Sequence, residues 1–354
     1  MREGVESETY FQWLSQAAPD VQFQHLMSGY RISAAMNVAA ELNLADLIAA
    51  GQQTSAALAQ QTQTHPQAMY RLLRTLASVG LFTEVEPGAF ALTALGALLR
   101  TDHPMSMRAL TRYGSSWMQW QRFGALRRVV ETGGSVDREL FGMSGHEYRN
   151  QHPEERAIFD EAMVSIVRQV GDAVVRAYDF SRFQTLVDVG GGYGALLSAI
   201  LQRTPQLRAV LFDRPAVMPG ARTHLESAGV LARCQVVGGD FFHGVPQGGD
   251  AYLLSRVIHD WNDERATVLL SQCRRAIQPG GTLLLVEEVL LPGDAPCYGK
   301  LNDLNMLVGP GGQERTEREY RTLYTAAGFE LVEVMPTASR MSILVGVPRG
   351  AHEA

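Results

Sequence analysis

Among nine histidines, His259 is the one placed where a proton could be moved. It lies in Ser255-Arg256-Val257-Ile258-His259-Asp260-Trp261, at the end of a strand-like run, with Asp240 before it and Glu288 after it in chain order. An imidazole titrates near neutrality, and a carboxylate on one ring nitrogen fixes the tautomer and stabilises the cation that forms when the other nitrogen takes a proton. A lone histidine is more often a structural residue than a catalytic one, so the reading depends on what surrounds it.

A second cluster carries binding chemistry. The run Leu186-Val187-Asp188-Val189-Gly190-Gly191-Gly192-Tyr193-Gly194 ends a strand in glycines, which let the backbone turn sharply and approach a ligand at the start of a helix. Gly190, Gly192 and Ala195 satisfy the dinucleotide pattern GxGxxG/A, and Asp213, 23 residues beyond Gly190, suits a ribose hydroxyl with or without a pyrophosphate. Two features favour a nucleoside with no pyrophosphate. Asp188 precedes the first glycine by two residues, where it can hold a ligand ammonium directly or through water. Gly239-Asp240-Phe241-Phe242 offers a carboxylate for an adenine amino group beside an aromatic wall. Each acid standing alone reads more readily as a helix cap or loop charge, and their shared placement reverses that preference. Both fall at the carboxyl ends of strands, where open α/β sheets bind ligands.

The elements that must position these groups follow from periodicity. From Thr185 strands alternate with amphipathic helices: Thr185 to Val189, Arg208 to Phe212, Cys234 to Val237, Ala251 to Ser255 and Thr282 to Glu287, closed by strands near Glu330 to Val334 and Ser342 to Val347. The pattern predicts a doubly wound α/β fold with a mostly parallel, Rossmann-like sheet. Before it, Thr54 caps a helix over Ser55 to Gln61, and Pro66 opens another that sets Met69, Leu72, Leu73, Leu76 and Val79 at helical spacing and stops at Gly80. Leu81 to Val85, Glu86-Pro87-Gly88 and Ala89 to Leu92 read as strand, turn, strand, which completes an α-helical winged-helix module. Residues 104–178 read as helical, with Trp117, Trp120, Phe123, Phe141, Phe159 and Met163 available for a core or a pocket wall. The expected domains are 1–103 (winged helix), 104–178 (linking helices) and 179–350 (catalytic).

Charge narrows the partners. Formal net charge is −6, and the first hundred residues hold five arginines against eight acids, so the winged helix lacks the cationic surplus of a DNA reader and is expected to pack or dimerise. Three scattered cysteines suggest neither a disulfide framework nor zinc, and no metal is expected. No signal-peptide core or membrane-length apolar run is evident, so a cytoplasmic, membrane-free protein is expected, with disorder confined to about the first ten residues and the last few.

VDVGGGYG (187–194), LFDRP (211–215), GGDFF (238–242), SRVIHDW (255–261), LLLVEEVLLP (283–292) and GGQERTEREY (311–320) occur in that order. With them the chain resembles the S-adenosylmethionine-dependent O-methyltransferases that include plant caffeate and flavonoid enzymes, acetylserotonin methyltransferases and bacterial natural-product tailoring enzymes. The likeness covers most of the chain from about Tyr30. It implies His259 as general base, flanked by Glu288 and Glu314. It implies S-adenosylmethionine held by Gly190 to Gly194, by Asp213 at the ribose and by Gly239, Asp240 and Phe241 at the adenine. Arg256 aligns with a cofactor-binding arginine of the acetylserotonin branch, Ser255 stands where the plant branch has lysine, and Tyr148 is a candidate for the cofactor's amino-acid end. Phe159, Met163, Asp260 and Met306 fall on the acceptor side.

The resemblance further implies a homodimer, and a small hydroxylated aromatic or polyketide-like acceptor from a secondary-metabolite pathway such as antibiotic biosynthesis. Relatives that hydroxylate or decarboxylate keep open the alternative of other chemistry on the same cofactor. An NAD-dependent oxidoreductase and a winged-helix ligand sensor are the remaining alternatives.

Overall fold

The computed structural model describes residues 9–350, and the segments 1–8 and 351–354, including most of the termini expected to be disordered, lie outside it. The chain divides into two compact units: residues up to Trp120 with His152–Ser165, and Gln121–Gln151 with residues from Ile166 onward. The stretch expected to link two domains is therefore shared between them.

In the N-terminal unit, Thr54 Oγ1 accepts the Ala57 N–H at 3.2 Å and starts the helix Ser55–Gln61, and Pro66 occupies the first turn of Pro66–Ser78. Met69, Leu73 and Leu76 of that helix pack with Leu44, Leu58, Phe82 and Phe90 in one apolar core. The hairpin β1 (Phe82–Glu86) and β2 (Ala89–Leu92) is antiparallel, and its turn is tied by the Gly88 N–H to Glu84 Oε1 at 2.7 Å. The winged-helix expectation is met here.

The region read as helical is a series of short helices followed by the 25-residue helix Pro153–Ala177, with left-handed glycines at Gly133 and Gly142 ending two of the short ones. Trp117, Trp120 and Phe123, offered as core or pocket wall, are substantially exposed on the single chain.

The C-terminal unit is built on one sheet. Its strands are β3 (Thr185–Val189), β4 (Arg208–Asp213), β5 (Cys234–Gly238), β6 (Ala251–Ser255), β7 (Thr282–Leu290), β8 (Arg315–Thr316), β9 (Phe329–Pro336) and β10 (Met341–Pro348). Their order is β5-β4-β3-β6-β7-β10-β9, with β8 pairing β7 alongside. The first five run parallel, and β10 is antiparallel to both neighbours. Val187, Leu254, Leu285 and Leu344 are among the side chains fully buried in its core. Strand order reverses between β3 and β6, so the crevice at their carboxyl ends is where this topology opens to a ligand. β3 delivers the glycine run to that crevice, and β6 delivers His259. Two residues of β8 were too few to produce an alternating pattern, and that strand was not anticipated.

Candidate active site

Gly190 turns with φ +74°, and a side chain there would meet Val257 Cγ2 at 2.8 Å, so the glycine run and the segment after β6 approach each other more closely than any other residue allows. The Gly192 N–H donates to Asp213 Oδ2 at 2.9 Å, and the Arg214 N–H donates to Oδ1 at 2.7 Å. The Asp213 carboxylate is thus aimed by backbone while each oxygen keeps acceptor capacity.

Asp188 is buried, and its Oδ1 has no hydrogen-bond partner within the protein. Burial first, then the negative charge of Asp213, pushes its pKa up to about 7. A cationic donor nearby would relieve that burial. The Gly239 N–H donates to the Asp213 carbonyl at 2.9 Å, which ties the next loop to this one. In that loop half-exposed Asp240 accepts the Phe242 N–H at 2.9 Å, and Phe241 packs edge-on against Phe242 with Trp261 beyond. These residues bring together an orphaned acid, a pinned carboxylate and an aromatic-flanked acceptor, which suits a nucleoside bearing an ammonium group.

Ser255 ends β6. Arg256 follows with φ +55°, a left-handed conformation uncommon outside glycine, and donates its N–H to the Val286 carbonyl at 3.0 Å. Its guanidinium is buried, and burial followed by the charge of Arg340 lowers its pKa. Tyr148, on the helix Gly145–Gln151, packs against Phe141.

His259 sits in the 3-10 turn Ile258–Asp260 and is buried. Its Nδ1 lies 3.1 Å from Glu314 Oε1 and 3.4 Å from Glu287 Oε2, and its Nε2 lies 3.7 Å from Asp260 Oδ1. The expected neighbour Glu288 is corrected by one residue. Side chains alternate along a strand, so β7 turns Glu287 to the imidazole while Glu288 meets Arg340 at 3.7 Å. Glu287 also accepts the N–H groups of Val257 and Ile258 at 3.0 and 2.8 Å, which binds the turn to the strand. Glu314 is held in place by the Asn302 amide, which donates to its Oε1 at 2.6 Å, and by Asp303, which accepts its N–H at 2.8 Å.

Burial alone would lower the His259 pKa, but Glu287, Glu314 and Asp260 together outweigh it and raise it to about 9. Glu287 is pushed up to about 7, mainly by burial and against the pull of His259. Glu314 is held below its ordinary value because the contact with His259 overcomes burial. The carboxylates flank Nδ1, which leaves Nε2, on the side of half-exposed Asp260, as the nitrogen for an acceptor. The donor atoms of His259, Glu287 and Glu314 lie within 4.8 Å of one another, a spacing at which a cation could also be held.

Met306 is buried on the helix Tyr298–Val308, one turn beyond Asn302. Phe159 and Met163 belong to the N-terminal unit, where Phe159 packs edge-on against Tyr113. Glu287, Asn302 and Asp303 were missed by sequence reasoning. The one signal for Glu287 was a pair of glutamates inside an otherwise apolar strand.

Residues 123–330 match the family model of the O-methyltransferase domain, and residues 24–102 match that of the O-methyltransferase dimerisation domain. The chain is 46% identical over 324 residues to a phenazine O-methyltransferase of Lysobacter antibioticus, covering 91% of this chain and 94% of the relative. It is 42% identical over 325 residues to a 3-amino-4-hydroxybenzoate 4-O-methyltransferase of Streptomyces cremeus, covering 90% and 88%. A methyltransferase of calicheamicin biosynthesis, crystallised with SAH bound, aligns with a TM-score of 0.84 at 36% identity, covering 93% of this chain and 98% of that one.

Proposed function

The chain belongs to the S-adenosylmethionine-dependent O-methyltransferases, and from that premise we propose that it methylates a hydroxyl of a small, flat, hydroxylated aromatic natural product with His259 as general base. The observation that carries the reading is the placement of Nδ1 between two buried carboxylates while Nε2 faces the half-exposed side. S-adenosylmethionine, when bound, supplies an electrophilic methyl group. Asp213 would hold its ribose, Asp240 and Phe241 its adenine, and Asp188, Arg256 and Tyr148 its amino-acid end.

A phenol has a pKa of roughly 10 and an ordinary imidazole roughly 6.5, so proton transfer between them is uphill by about 5 kcal/mol. With His259 raised to about 9, the gap narrows to roughly one unit, about 1.4 kcal/mol. Below pH 9 the imidazole must first shed its own proton, so the gain appears in how rate depends on pH. Met306 and Asp260 would line the acceptor side of the site. The acceptor class is supported by the phenazine and aminohydroxybenzoate named for the relatives.

A homodimer is supported by the dimerisation-domain match and by exposed Phe23, Leu26, Met27 and Tyr30 near its start. A cytoplasmic location is part of the same proposal; among the described residues no helix is long and apolar enough to cross a membrane. The winged-helix, linker and catalytic boundaries at 103 and 178 are proposed likewise. The deciding experiment incubates the protein with methyl-labelled S-adenosylmethionine and a panel of hydroxyphenazines and hydroxybenzoates. Label is expected on a hydroxyl oxygen, and cofactor binding with no transfer to any panel member would count against the reading.

A further inference from the structure

We infer that Arg315 is a positioning residue for the base: its guanidinium clamps the backbone turn that carries His259 to the segment that carries Glu314. Arg315 directly follows Glu314, opens β8, and is fully buried. Its Nη1 donates to the Ile258 carbonyl at 3.3 Å and its Nη2 to the Trp261 carbonyl at 2.8 Å, so the two contacts bracket His259 in sequence. Nη1 also reaches the Gln313 carbonyl at 3.3 Å, and Nε and Nη2 meet Asp263 Oδ1 at 2.9 and 2.8 Å.

The same segment grips the turn by backbone. The Gln313 N–H donates to the His259 carbonyl at 2.9 Å, and a methyl group on Gly312 would sit 2.0 Å from that oxygen. The carbonyls of residues 258, 259 and 261 thus each accept from a donor in residues 313–315, that of Ile258 in addition to the Trp261 N–H of the turn itself. A three-residue 3-10 turn satisfies few of its own carbonyls, and buried ones must be paired elsewhere. The planar fork of arginine serves several acceptors at fixed angles, which an ammonium on a flexible stem cannot do. Held this way, the turn keeps Nδ1 against Glu314 and Glu287, while Asp260 faces Nε2 from the turn itself.

The inference rests on His259 being the base, and its test is chosen so that the two fail separately. Full-length Arg315→Lys is compared with wild type by NMR titration of histidine-labelled protein, the His259 signal being assigned by its loss in His259→Ala. Cofactor affinity is measured by calorimetry, and kcat with the best acceptor of the phenol panel. The ring midpoint near 9 is expected to fall by about one unit or more towards 6.5, and kcat by roughly tenfold to a hundredfold, with cofactor Kd changed less than about twofold. A folded Arg315→Lys protein with the wild-type midpoint and kcat overturns the inference. If that variant does not fold, Asp263→Asn, at the exposed end of the clamp, decides: a lowered midpoint supports the role and an unchanged one overturns it. Wild-type turnover in His259→Ala would instead remove the base, and the ring midpoint would still report on Arg315.

Discussion

The cofactor end and the base end of the crevice are built by different means. Around β3 and β4 the geometry is written in backbone: Gly190 turns where no side chain fits, and Asp213 is aimed by the adjacent N–H groups of Gly192 and Arg214. Around β6 it is assembled from side chains of three separated segments, with His259 from one, Glu287 from the second and Glu314 from the third. Backbone geometry tolerates changes in neighbouring side chains and leaves a local pattern in the sequence. A buried cluster of charges exists only once the sheet is formed, and each member depends on the others.

That contrast predicts that damage at the two ends separates into turnover and affinity. The largest effect is expected from His259→Ala, which should lower kcat by about two to four orders of magnitude while cofactor affinity stays nearly unchanged. Steady-state kinetics beside calorimetry checks it, and a parallel loss of affinity would break the distinction. Asp213→Ala should do the reverse. Removing an ionised acceptor is worth about 1.5 to 3 kcal/mol, so cofactor Kd should rise roughly tenfold to a hundredfold, readable by calorimetry without any acceptor.

Within the base end, Glu287→Gln should cost about tenfold in kcat/KM, whereas Glu288→Gln should stay within about twofold. The pH profile sharpens this. A protonated imidazole cannot act as a base, so kcat/KM should climb with pH and level off above about 9, and the loss of the Glu287 charge should move that plateau to lower pH. The smallest effect expected is none: dialysis against a chelator should leave turnover as it was, because the proposed role of His259, Glu287 and Glu314 is to move a proton. A loss restored by a divalent cation would reassign the cluster.

The same contrast explains what could be read in advance. The strands, the winged helix and the glycine run lie in short stretches whose periodicity or composition is self-contained, and their boundaries differ from the observed ones by only a few residues. The placement of His259 on the ligand edge followed from strand order. Which of two successive glutamates faced it did not, because a one-residue choice in a buried strand swaps the faces and both faces of β7 are covered. Asn302, Asp303 and Arg315 act through contacts with segments 11 to 57 residues away, and nothing in their own surroundings announces it. Trp117 and Trp120 are the opposite case, since their size suggested a core or a pocket wall and they stand exposed on the single chain.

The left-handed turn at Arg256 has a consequence for durability. A residue with a side chain is less comfortable there than glycine by roughly 1 kcal/mol, so Arg256→Gly would relax the main chain between β6 and the 3-10 turn. It would also strip a buried cation from among Asp260, Glu287 and Glu314, leaving their negative charges less balanced. Heat resistance and ionic balance therefore pull in opposite directions at this one position, and a programme to harden the enzyme should leave it alone.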